Sequence, residues 1–182
     1  MNLVWYAGYG SNLSRARFAC YVEGGTPAGT TRTYAGCRDR TPPRRTTALR
    51  FRGALAFAGE STVWGGGIAF LDPNGDAEVV ARGYLVTTDQ LDDVAAQETW
   101  YDGLFTVGDR DGVPVIALTS SGTHEQAAPS AAYLRTLLEG LTDGLLGTDE
   151  AIAYLLAAPG VALLWDEATI RALVEQPTTA RG

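Results

Sequence analysis

The sequence predicts an α+β domain, on three observations. Runs rich in β-branched and aromatic residues recur between residues 3 and 118, the apolar period becomes helical from Ser130 onward, and only one or two helical stretches interrupt the strands. At 182 residues and 46 % hydrophobic content, the chain is the size of one domain with its own core, read as a single unit over 1–182.

The first element is a strand at Leu3-Val4-Trp5-Tyr6, which Gly8-Tyr9-Gly10 ends abruptly. Gly8 and Gly10 carry no side chain to hold a ligand away, so successive N–H groups there can point into one concavity and bind a carboxylate or an oxyanion. Ser11 and Asn12 add short polar arms and can also cap the helix expected over residues 14–22. A tight strand-to-helix turn without a ligand uses the same residue types. The Gly-x-x-x-x-Gly-Lys spacing of a phosphate loop is absent.

Residues 24–29 form a turn cluster, and Thr31 to Ala35 alternates like a strand. The two prolines and repelling arginines of residues 39–45 favour neither ladder nor helix, which predicts a loop. From Arg32 to Arg52, including the stretch Arg38–Arg52, seven arginines stand against one acid, Asp39. Such a segment can meet a polyanion. On a chain of net charge −7 it reads as a surface loop paired with acidic neighbours, and no nucleic-acid partner is expected.

Leu49 to Ala58 is the next strand, followed by Trp64-Gly65-Gly66-Gly67, the strand Ile68–Leu71, a turn at Asp72–Gly75 and the strand Val79–Val86. Three consecutive glycines in a sheet lose much backbone entropy. They imply close approach of a backbone or a ligand, or a bulge at a barrel corner.

Thr87 and Gln90 have the capping-box spacing and open a helix. Along it Leu91, Val94, Ala95 and Glu98 share one face, so a single carboxylate is directed at the core near the helix C-terminus, where burial and dipole both raise its pKa. A partly exposed last-turn glutamate paired with Arg82 or Arg110 uses the same position.

Leu104–Val107 and Val113–Leu118 predict a hairpin around residues 109–112, and His124 falls in a surface loop. Leu134, Leu137, Leu138, Leu141 and Leu145 then mark a helix capped by Ser130 and ended by Gly147, with two more helices at 151–158 and 167–175.

Composition removes several chemistries. Cys20 and Cys37 lack metal spacing and His124 is the only histidine, so buried free thiols and no metal site are expected. All 14 basic residues are arginine, which excludes Schiff-base and pyridoxal phosphate chemistry on a lysine of this chain. No apolar run is long enough to span a bilayer, and Asn2 directly precedes the first strand. A cytoplasmic location without membrane partners follows as the expectation.

Tyr9-Gly10-Ser11-Asn12-Leu13 after an N-terminal strand resembles the signature of the γ-glutamylcyclotransferase-like proteins. Three further pieces match in order: Leu55-Ala56-Phe57-Ala58 with Trp64-Gly65-Gly66-Gly67-Ile68-Ala69, then Leu91-Asp92 with Gln97-Glu98, then Pro129-Ser130 with Tyr133-Leu134. The resemblance covers residues 3–155. It implies a small, partly closed, barrel-like mixed β-sheet flanked by helices, with a ligand pocket at one rim. It also implies a catalytic role for Glu98 and substrate binding by Tyr6, Gly8, Tyr9, Gly10, Ser11 and Asn12, with Trp64, Gly65 and Gly66 lining the pocket. The implied partner is a small γ-glutamyl compound, converted without cofactor or metal to 5-oxoproline and a free amine. The same scaffold would also serve a non-catalytic ligand-binding or stress-response module. Two departures stand out: the family's glycine after the acid is replaced by Thr99-Trp100-Tyr101, and an aromatic hydroxyl frequent late in the second hairpin strand is missing from Ile116-Ala117-Leu118. Neither the leaving amine nor the oligomeric state is fixed by these residues.

Overall fold

The structure, a computed structural model, describes residues 2–175. Strands β1 (Leu3–Gly8), β2 (Arg45–Ser61), β3 (Gly66–Thr87), β4 (Gly103–Arg110) and β5 (Val113–Thr119) form one mixed sheet in the order β2-β3-β1-β5-β4. Helices α1 (Arg15–Glu23), α2 (Thr88–Gln97), α3 (Ala131–Thr142), α4 (Thr148–Ala157) and α5 (Glu167–Glu175) flank it. β1 is central, antiparallel to β3 and parallel to β5 through Trp5 opposite Val115 and Tyr6 opposite Ile116. The sheet does not close, because no ladder joins its edge strands β2 and β4; Arg110 Nη1 reaches across to the Ala48 carbonyl at 3.0 Å.

Both faces of β1 are buried, and its two-residue period sorts the core. Val4 and Tyr6 join Phe18, Tyr21, Tyr84, Leu91 and Val94 under α1 and α2. Trp5 and Ala7 join the larger cluster with Phe57, Leu134, Leu137, Ile152 and Ile170, which β2, β3, α3, α4 and α5 cover.

Local signals fix several boundaries as expected. Ser130 Oγ accepts from Tyr133 N, and Thr87 and Gln90 form the capping box of α2. The β4–β5 hairpin turns through Asp111 and Gly112, both at positive φ, the backbone a two-residue Asp-Gly turn requires. Among the described residues, no helix is long and apolar enough to cross a membrane.

Other expectations are corrected. Residues 72–75 do not reverse the chain: both halves of β3 pair with β2, and the register slips between Gly53 opposite Ala77 and Ala54 opposite Asp72. The Pro73-Asn74-Gly75 signal thus makes an irregularity within one long strand. Thr31 to Ala35 forms only an isolated bridge, Tyr34 opposite Gly25. Ser11 and Asn12 do not cap α1; they lie in a 3-10 turn, Ser11–Leu13, and Ser14 is the cap. α3 stops at Thr142, ahead of the positive-φ Gly144, and Gly147 precedes α4 instead. Of the two free cysteines Cys37 is buried and Cys20 only half-buried.

The arginine-rich segment is held rather than loose. Gln90 Nε2 donates to the carbonyls of Asp39 and Thr41, and Arg38, Arg45, Arg50 and Arg52 pair with Asp93, Asp111, Glu78 and Asp76.

Candidate active site

The end of β1 turns sharply because Gly8 has no side chain: a Cβ there would stand 2.9 Å from the Asn12 carbonyl oxygen. The chain folds back into the 3-10 turn, and Tyr9 fixes it by donating its hydroxyl to the Leu118 carbonyl at 2.6 Å. Asn12 is held at both ends, its Nδ2 donating to the Tyr6 hydroxyl at 3.0 Å and its carbonyl accepting from the Tyr84 hydroxyl at 2.7 Å. Its Oδ1 is buried and partnerless. Among the described residues the N–H groups of Gly10 and Asn12 meet no acceptor, while that of Ser11 faces the Tyr133 hydroxyl. A buried turn with open donors and an open acceptor is an unfinished polar surface.

That surface lines an open cleft, of which about 50 Å³ is enclosed space. Tyr6, Tyr9, Gly10, Ser11 and Asn12 form one wall, and Glu98 comes from the end of α2. The helix stops one residue earlier than its apolar stripe implies: Glu98 is the C-cap, with extended backbone, φ −81 and ψ 138. Gln97 is anchored by Nε2 donating to the Tyr21 carbonyl at 3.0 Å, which helps end the helix and turn Glu98 into the cleft.

The Glu98 carboxylate is half-buried, and burial raises its pKa above the ordinary 4.5. The Tyr21 hydroxyl and the charges of Arg32 and Arg17 oppose the shift. Arg82 and Arg110, the partners the sequence offered, are elsewhere: Arg82 binds Leu13, Gly140 and Asp143, and Arg110 binds Ala48. Burial also raises Tyr6, Tyr9 and Tyr101, and pushes Tyr133 up to about 12, so these phenols stay protonated near neutral pH.

Trp64 lines the cleft, its ring 4.8 Å from that of Tyr133. Gly65, Gly66 and Gly8 are not among the lining residues. The space beside Gly66 and Gly67 is filled by the backbone of residues 127–130, so the close approach that these glycines permit is to another stretch of chain.

Several lining residues carry no motif. Arg17, on α1, is 6 % exposed; its Nη2 donates to the Tyr34 hydroxyl at 3.1 Å and its Cζ stands 4.5 Å over the Trp64 ring, while Nε and Nη1 are buried without partners. Arg17 and Tyr21 are four residues apart, and buried Leu13 precedes Arg17 by four; this spacing was the available signal. Arg32, Tyr34, Trp100 and Tyr101 complete the walls. Tyr101 donates its hydroxyl to the Ala69 carbonyl at 2.6 Å, so the segment replacing the expected glycine supplies an aromatic wall. Ala117 is fully buried in the core. His124 is exposed and lies outside this cleft, stacked on Phe70 at 4.4 Å. Among the described residues no three His, Cys, Asp or Glu side chains gather to hold a metal ion.

No protein-family model matches the chain. Histone deacetylase 5 of Arabidopsis thaliana is 30 % identical over 84 % of the chain, which spans only 30 % of that protein's length. Among solved structures of similar fold are the following three. A gamma-glutamyl cyclotransferase superposes over 97 % of this chain and 100 % of its own, with a TM-score of 0.63 at 17 % identity. An uncharacterised Homo sapiens protein does so over 97 % and 100 %, with 0.61 at 18 %. YkqA of Bacillus subtilis matches over 87 % of this chain and 56 % of its own, with 0.57 at 14 %. The α+β architecture described above, an open mixed sheet with its flanking helices, is therefore the fold of a gamma-glutamyl cyclotransferase.

Proposed function

We propose that the chain is a cyclotransferase that converts a γ-glutamyl amide to 5-oxoproline and releases the amine. The reading is carried by one observation: a half-buried carboxylate of raised pKa, Glu98, lines the same cleft as the unpaired N–H groups of Gly10 and Asn12. The likeness in fold to a gamma-glutamyl cyclotransferase supports it.

In this reaction the substrate's α-amine attacks its own γ-carbonyl carbon. The new C–N bond closes a five-membered ring, the former amide C–N bond breaks, and the α-nitrogen's proton ends on the leaving amine. Glu98 serves both transfers, taking the proton from the ammonium and handing it on. A pKa displaced toward working pH suits a group that must accept and then donate. Asn12 Oδ1 accepts from the ammonium and helps orient it. The open N–H groups of Gly10 and Asn12 hold the α-carboxylate or the developing oxyanion. Holding amine and carbonyl together in the cleft supplies up to about 7–11 kcal/mol in favourable systems. General acid–base catalysis adds about 10²–10⁴-fold.

Incubation with a panel of γ-glutamyl amino acids, peptides and amines, with 5-oxoproline and freed amine quantified together, tests the proposal. Equimolar release from at least one compound is expected. Ligand-dependent melting shifts without product would identify a binding module and overturn the reaction.

A further inference from the structure

Glu98 sits where a carboxylate is electrostatically misplaced. It is the C-cap of α2, at the end where the helix dipole disfavours negative charge, and α2 has no basic residue of its own in its last turn. The compensating cation comes from another part of the chain. Arg32, in the segment that precedes β2, donates Nη2 to the carbonyl of Gln97, the last residue of α2. A cation on a final helix carbonyl both satisfies that carbonyl and offsets the dipole. Arg38, Arg45, Arg50 and Arg52 are paired with Asp93, Asp111, Glu78 and Asp76. Arg32 makes no direct ion pair among the described residues, and it lines the cleft together with Glu98.

The attachment is held from several sides. The Arg32 Cζ lies 4.9 Å from the Tyr34 ring centroid, and Arg17 Nη2 holds the Tyr34 hydroxyl at 3.1 Å. Gly36 N donates to Gln97 Oε1 at 3.1 Å, so the segment grips residue 97 by its carbonyl and by its side chain. Gln97 Nε2 fastens the same residue to the Tyr21 and Asp93 carbonyls at 3.0 Å each. With residue 97 so held, the chain leading into the extended backbone of Glu98 is fixed, and with it the point where the carboxylate enters the cleft. Besides Arg32, the groups that act on that carboxylate are Arg17 and Tyr21 from α1, Tyr6 and Tyr9 at the end of β1, Tyr101 after α2 and Tyr133 from α3. Burial keeps the five phenols neutral near pH 7, so the two arginines are the cations it meets.

We propose that Arg32 is a positioning residue: by bonding the last carbonyl of α2 it fixes where Glu98 enters the cleft, and its charge offsets that of the carboxylate. This rests on the cyclotransferase reading, and one of its two readouts needs no turnover. The first is an NMR titration of the Glu98 carboxyl carbon, assigned by its loss in Glu98→Gln. The second is kcat and KM for 5-oxoproline release from the best γ-glutamyl substrate. Arg32→Gln keeps a donor and removes the charge. It is expected to move the titration midpoint to higher pH and to lower kcat by about 10–100-fold with KM little changed. Arg32→Lys keeps the charge but not the planar fork against Tyr34, so it should hold the wild-type midpoint and lose part of kcat. Arg38→Gln removes an arginine paired with Asp93, and both readouts should stay at their wild-type values. A midpoint that Arg32→Gln leaves in place, or that Arg38→Gln raises as much, overturns the proposal, and so does a wild-type kcat in folded Arg32→Gln. If Arg32→Gln does not fold, Arg32→Lys decides, and an unreduced kcat there overturns it. If the wild-type protein releases no 5-oxoproline, the cyclotransferase reading fails and the titration alone decides: a midpoint raised by Arg32→Gln and restored by Arg32→Lys supports Arg32 as the partner of Glu98, whereas an unmoved one overturns it.

Discussion

Gly67 lies against the Ala127 carbonyl so closely that no Cβ fits between them, and its own N–H donates to the Ala128 carbonyl at 2.9 Å. This contact ties the start of β3 to the segment leading into α3, whose Tyr133 faces the cleft. Gly67→Ala should therefore destabilise the fold by about 3 kcal/mol or more, since backbone on both sides must move. Gly108→Ala, at an exposed position with open space around it, should change stability by less than about 0.5 kcal/mol. Paired urea melts of the two variants check the contrast.

What the sequence made legible divides along the same line of local against distant causes. Thr87 with Gln90 and Ser130 announced their helices because a cap is satisfied within three residues. The turn after β1 was legible because one glycine pattern suffices; Glu98 lies just past the end of its helix with extended backbone, so the apolar stripe pointed to the right residue without fixing its direction. Pro73-Asn74-Gly75 misled because its meaning depends on β2, which pairs on both sides of it. The alternation at 31–35 gained no ladder beyond one bridge, since no strand edge lies alongside. Arg17 was illegible as a cleft residue: Arg15, two residues before it, has the same chemistry, and only the fold decides that one pairs with exposed Asp143 while the other is buried over the Trp64 ring.

Arg82 shows that a buried arginine here can be structural. Its Nε donates to the Leu13 carbonyl at 2.7 Å and its Nη2 to those of Gly140 and Asp143 at 2.8 Å each, binding the 3-10 turn to the end of α3. Arg82→Met should leave these carbonyls unpaired and lower stability by about 3 kcal/mol. Asp143→Ala keeps the backbone carbonyl and removes the half-exposed carboxylate that Arg82 shares with Arg15, and should lower it by about 1 kcal/mol. Thermal unfolding followed by circular dichroism separates the two.

The raised pKa of Glu98 predicts a stability signature of definite sign. The folded state binds the Glu98 proton more tightly than the unfolded chain does. The stabilisation is complete below the unfolded value near 4.5 and is lost as pH rises through the higher folded value. Glu98→Gln keeps the neutral shape, so it should melt above the wild type at pH 7, and the difference should shrink as pH falls through the folded pKa. Melting temperatures across pH 4–8 read this directly. An advantage that grows on acidification would reverse the sign.

The same shift sets the pH dependence of turnover. Glu98 must be ionised to accept the ammonium proton, so the acid limb of kcat/KM should fall at a pH above the ordinary carboxylate value of 4.5. A limb at or below that value would contradict the burial of the carboxylate. Initial rates of 5-oxoproline release between pH 4 and 8 provide the measurement.

The central claim is that Glu98 moves protons for ring closure, and the most direct measurement is 5-oxoproline release by Glu98→Gln on the best γ-glutamyl substrate of the wild type. Provided the variant keeps its fold, kcat should drop by about 10²–10⁴-fold with KM little changed. Release at the wild-type rate by a folded Glu98→Gln protein would contradict it.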